Sequence, residues 1–235
     1  GNRAIPDNAN VYFAAGSVLR LTPGAAAESE RVGGLISQAS GAGTIEQTTG
    51  GVFTLEFGGG NAAGNFSGNI NNGGAQTLGI RKVGSGTQIL AGAGNARGGM
   101  VISDGIVRLE GNRGFNAGYF TNVDNVPYTV ETGATLVLAG DWITRSNSIY
   151  NVHGGTINAN APNGNVLYVN RLNFDVAPGQ ITGGFGIRSG YFFDPIYTVS
   201  AAASGSVISA NVGMLDQGAV TTNLVINVAD GANVN

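Results

Sequence analysis

Apolar and β-branched residues fall in short runs along this chain, and small or polar residues end each run before it is long enough for a helix. Between Asn65 and Gly111 the runs are Leu78-Gly79-Ile80, Gln88-Ile89-Leu90, Met100-Val101-Ile102 and Ile106-Val107-Arg108-Leu109, with Gly- or Asn-rich corners between them. None carries the 3.6-residue apolar period of an amphipathic helix. Upstream, Gly43-Thr44-Ile45-Glu46-Gln47 and Gly51-Val52-Phe53-Thr54-Leu55-Glu56-Phe57 alternate with period two, the pattern of a strand with one buried face. Downstream, strands are predicted over 128–138 with a corner inside, and over 148–152, 155–158, 166–169, 172–176, 180–182, 197–200, 206–209 and 223–228. Thr22–Glu30 reads as an exposed loop, and the aromatic-bearing stretches 112–127 and 183–195 read as irregular loops. The pattern predicts an all-β chain.

The corners say which kind. Hairpins favour two-residue turns such as Asn-Gly or Asp-Gly, and Asp104-Gly105, Asn163-Gly164 and Asp230-Gly231 are present. Most breaks differ: Ala15-Gly16-Ser17, Val83-Gly84-Ser85 and Glu131-Thr132-Gly133-Ala134-Thr135 set one small residue inside a strand-like run. Such a corner bends the strand into the next side of a coil, and successive coils then stack in parallel about 4.8 Å apart. Two stretches opening on Gly-Asn-Arg, at 1–3 and 111–113, each lead through a variable loop into strand, corner and strand. This predicts a single β-solenoid segment over 1–235 with approximate repeats 1–110 and 111–235. Roughly 20 residues per coil gives about 11–12 coils stacked at that spacing. Val, Leu, Ile and Phe would stack inward, with Asn and Thr at corners and on outer faces.

Composition narrows the class. The chain has 41 Gly, and only 11% of residues are charged, against about 25% ordinarily. Helix surfaces depend on Glu, Lys and Arg, so this balance favours turns and polar ladders. A net charge of −3 with scattered Lys and Arg gives no footprint for nucleic acid. No apolar run is long enough for a membrane-spanning helix. Zero Cys removes disulfides and thiolate metal sites and fits a protein kept unfolded for export. The start at Gly1 reads as a processed chain or a segment of a longer one.

Three phrases carry a resemblance. Phe66-Ser67-Gly68-Asn69-Ile70, then Lys82-Val83-Gly84-Ser85-Gly86-Thr87-Gln88-Ile89-Leu90-Ala91-Gly92, then Gly98 to Leu109 resemble the segments of the autotransporter-associated β-strand repeat of bacterial surface-passenger proteins. Residues 31–35 with 41–45 are similar to the phrase that precedes such repeats. Gly94-Asn95-Ala96-Arg97-Gly98 departs from the usual NTYTG. The resemblance, best over 65–111, implies a right-handed parallel β-helix that is secreted and surface-exposed. Within it, Lys82-x-Gly-x-Gly-Thr reads as corner chemistry, with Gly84 and Gly86 permitting the bend.

Parallel β-helices also host polysaccharide lyases and hydrolases, whose sites need clustered carboxylates with a basic partner. The Asp and Glu here form no D-x-D or D-D pair, and coil stacking would have to gather distant ones such as Asp141, Asp175 and Asp194. His153, the only histidine, sits beside Gly154-Gly155 and reads as a corner or solvent residue. No catalytic, metal or cofactor-binding residue is expected, and the chain is not expected to be an enzyme. Loops carry recognition, and exposed aromatics favour interfaces or sugars. Phe115, Tyr119, Phe120, Trp142, Tyr191, Phe192 and Phe193 therefore form the candidate interaction surface.

The expected function is a non-catalytic structural and adhesive segment of an extracellular or cell-surface protein, a stiff spacer or self-associating filament element. The expected partners are copies of itself or adjacent repeats, with surface glycans as a further partner. The alternatives are a polysaccharide-degrading β-helix enzyme and a glycan-binding module acting through the aromatic loops.

Overall fold

The period-two runs form strands, and the small-residue corners bend the chain without reversing it. The computed structural model describes residues 4–24, 26–72, 77–110, 126–140, 148–159, 167–169, 171–183, 187–189, 196–210, 212–214 and 225–229. Thr44–Gln47, Val52–Phe57 and Gly64–Phe66 lie on three different faces, and Asn69–Asn72, Thr77–Lys82 and Thr87–Leu90 repeat the circuit one layer on. Every pairing between described strands is parallel. The longest sheet stacks nine strands, from Glu28–Val32 to Val225–Val228, and a second face stacks seven, from Gly64–Phe66 to Val207–Ile208. The third face is a four-stranded sheet from Val18–Leu21 to Gly94–Asn95 and a three-stranded sheet of Leu167–Val169, Ile187–Ser189 and Val212–Met214. The protein is a parallel β-solenoid. Among the described residues its only helical turns are the 3-10 pieces Gly59–Asn61 and Ala201–Ala203.

Coil length is less even than expected. Ile80 stacks on Met100, twenty residues later, whereas Tyr197 stacks on Ile226, twenty-nine later. Corners absorb such differences, because lengthening a loop costs little once its ends are fixed. Longer coils mean fewer of them. Among the described residues, nine strands on the longest sheet stand against the expected eleven or twelve coils, and their eight steps span about 38 Å at the usual strand spacing.

Two expected loops contain strands. Glu28–Val32, the end of the presumed loop Thr22–Glu30, pairs in register with Phe53–Phe57, so that Glu30 stacks on Leu55 and Val32 on Phe57. It is the first strand of the long sheet, and charged residues at such an edge discourage pairing with stray strands. Ile187–Ser189, inside the expected loop 183–195, is held between Leu167–Val169 and Val212–Met214.

The core is a set of stacked inward rows. Leu55, Ile80, Met100, Tyr128, Tyr150, Leu172 and Tyr197 follow one another in register, all buried. The Tyr128 and Tyr150 rings stack at 5.2 Å between centroids and 16° between planes. Burial of each large apolar side chain contributes about 1.5–3 kcal/mol. Polar residues also point inward: Gln47, Asn72, Lys82 and Gln88 are buried, so Asn72 departs from the expected corner and outer-face placement of Asn.

The two ends of the long sheet differ. At the first, Ala4 and Ile5 backbone N–H groups donate to the Glu30 carboxylate at 3.2 and 2.7 Å, and Ile5 packs against the core. At the other, Ile226 continues the inward row beyond Tyr197 yet is 53% exposed.

Candidate functional surface on the longest sheet

Because side chains alternate across a strand, register alone fixes which outward residues become neighbours. Arg31, Glu56 and Arg81 are aligned on three successive coils. The Arg31 guanidinium donates through Nε and Nη2 to Glu56 Oε2, both at 2.7 Å, while Arg81 Nη1 lies 4.0 Å from the other carboxylate oxygen and its Nε donates to Ser103 Oγ at 2.8 Å. Farther along the same row, Thr129, Asn151 and Asn173 are aligned. Asn173 Nδ2 donates to Asn151 Oδ1 at 2.8 Å, and Asn151 Nδ2 donates to Thr129 Oγ1 at 3.4 Å. The outer face thus passes from a charged ladder to an amide ladder.

Beside the amide ladder, Glu131, His153 and Asp175 stand on three successive coils. His153 Nδ1 is 3.2 and 3.3 Å from the two Glu131 carboxylate oxygens, and Nε2 is 3.0 Å from Asp175 Oδ1. Thr132 Oγ1 donates to the His153 carbonyl at 2.8 Å. The histidine side chain is 20% exposed and its carboxylate partners 38% and 48%. The sequence reading of His153 as a corner or solvent residue is half met. It does precede the Gly154 corner, but its ring is paired on both sides. Of the carboxylates expected to gather, Asp175 meets His153, and Asp141 and Asp194 lie outside the described residues. Glu131, His153 and Asp175 are spaced by the 22-residue coil of this region, a period that only the strand register discloses.

The chemistry of this trio is limited by its shape. Each ring nitrogen faces a carboxylate, so the ring is held from both sides. The two carboxylates lie on opposite sides of the ring, and among the described residues no three His, Cys, Asp or Glu groups converge where one cation could sit.

Lys82, the only lysine, was read as corner chemistry and turns out to be an inward residue of the long sheet, stacked between Phe57 and Ile102. Its ammonium reaches back to the corner, donating to the Val83 carbonyl at 2.7 Å, to the Gly84 carbonyl, and to the Asp104 carbonyl at 3.4 Å. Burial lowers its pKa below the ordinary lysine value, and the Asp104 charge opposes that shift. Gly84 takes the expected positive φ of 67°. Gly86 serves space instead, since a Cβ there would lie 2.4 Å from the Asn61 and Ala62 carbonyl oxygens.

The aromatic candidates Phe115, Tyr119, Phe120, Trp142, Tyr191, Phe192 and Phe193 all lie outside the described residues. Compared with protein-family models, with curated proteins and with solved structures, the chain matches none.

Proposed function

We propose that this chain is a non-catalytic structural and adhesive segment of a secreted bacterial surface or extracellular fibre protein, a stiff spacer of the autotransporter-associated kind. The observation that carries this reading is the nine-stranded parallel sheet, which continues layer upon layer from Glu28 to Val228 over stacked apolar rows. Each interior strand is hydrogen-bonded on both edges, so a load along the axis is divided among many backbone bonds. The phrases at 65–111 support the family-level part of the proposal, and the Lys82 corner gives the lysine that opens the second phrase a physical task. Copies of itself, adjacent repeats and surface glycans are the partners this reading assigns.

The polysaccharide-degrading alternative would look to the Glu131–His153–Asp175 trio for its acid and base. Negative-stain imaging of the purified chain, paired with assays on acidic and neutral polysaccharides, tests the proposal. Rods or fibres without product are expected; discrete particles that release oligosaccharides would overturn it.

A further inference from the structure

We propose that His153 is a protonation-controlled staple across three successive coils of the long sheet. The ring lies between Glu131, at the end of the strand Pro127–Glu131, and Asp175, immediately after the strand Arg171–Phe174. An imidazolium carries an N–H on both nitrogens, whereas a neutral imidazole carries one. With the proton on, Nδ1–H donates to Glu131 and Nε2–H to Asp175, and the three coils are joined through one side chain. With the proton off, one nitrogen turns a lone pair toward a carboxylate oxygen 3.0 to 3.3 Å away, and that contact becomes repulsive.

The surroundings make the ring the controlling element. Among the described residues, Glu131 and Asp175 are the charged groups facing it, and its own strand, Ile149–His153, adds no other outward titratable side chain; Tyr150 points inward and is buried. The backbone of His153 is held independently by Thr132 Oγ1, so losing the proton changes side-chain contacts and leaves the strand in place. The contact to Asp175 is the one with a local readout, because Asp175 opens the corner 175–179 that carries Val176, 56% exposed. The sign follows directly. The second contact exists only with the proton bound, so the staple is closed in acid and open in base. The chain has one histidine, so comparison with His153→Gln isolates its share of any pH response.

Thermal unfolding and amide hydrogen exchange of the 235-residue chain at about pH 5 and about pH 8, compared with His153→Gln and Asp175→Asn, test the staple. In the parent, exchange at 174–179, corrected for its intrinsic pH dependence, slows at least roughly threefold in acid, and the midpoint rises relative to the His153→Gln variant. Asp175→Asn, with the Glu131 contact intact, loses the exchange response at 174–179. An identical pH response in the parent and folded His153→Gln overturns the proposal. A full response in Asp175→Asn also overturns it, because Asp175 would then have no part in the device.

Discussion

Lys82 is an ammonium placed where neighbouring coils stack Phe57 and Ile102. An unpaired buried charge is costly, and here three carbonyl oxygens of two adjoining corners reduce that cost by accepting from it. Replacement by methionine keeps most of the volume but leaves those carbonyls without their donor, a loss of about 1–3 kcal/mol. The pH dependence gives a second, independent signature. The folded state holds the Lys82 proton less tightly than the unfolded chain does. Between the lowered folded value and the ordinary lysine value of about 10.4, the unfolded state therefore binds more protons, and stability contributed through this group rises with pH. The stability gap between the parent and Lys82→Met should widen from neutral pH toward that value, as read by denaturant midpoints; tyrosine ionisation is common to both proteins and cancels. A gap that narrows would contradict the buried-cation account.

Among the elements, the least conventional join is made by Gln88. The small sheet of Val11–Phe13 with Leu35–Ser37 adjoins the second face at Gly64–Phe66. There the Gln88 amide imitates a peptide group: Oε1 accepts from Leu35 N–H at 3.1 Å and Nε2 donates to the Leu35 carbonyl at 3.0 Å. Gly64 leaves the passage open, since a Cβ there would lie 2.5 Å from Gln88 Oε1. Gln88→Leu strands both Leu35 groups in the core and should cost about 2–6 kcal/mol, at 1–3 for each buried unsatisfied group. Glu56→Gln, which weakens the partly exposed ladder with Arg31 and Arg81, should cost about 1 kcal/mol or less. Urea midpoints of the two variants check the order, and a larger loss in Glu56→Gln would contradict it.

These same elements show what the residue pattern could and could not disclose. Period-two alternation located most strands because burial of one face imposes it. It could not place Gln88, which reads as the polar start of an apolar run yet points inward, a fact fixed only by its alignment with Gly64 and Val107. Nor could it find the Glu131–His153–Asp175 trio under an assumed uniform coil of about twenty residues. At that spacing, positions 22 apart fall out of register.

At the scale of the molecule, local corner chemistry and stacked rows made the parallel solenoid legible, while its coil count depended on corner lengths that carry no periodic signal. The architecture makes a mechanical claim. Each coil is held mainly by its neighbours, so stability is close to a sum over adjacent layers, and tension should remove layers in sequence. Single-molecule pulling from the two ends of the chain measures this most directly. Coils of twenty to twenty-nine residues predict a train of steps, each releasing about 7–10 nm of extended chain. One large step, or extension without force peaks, would contradict a rod built coil upon coil.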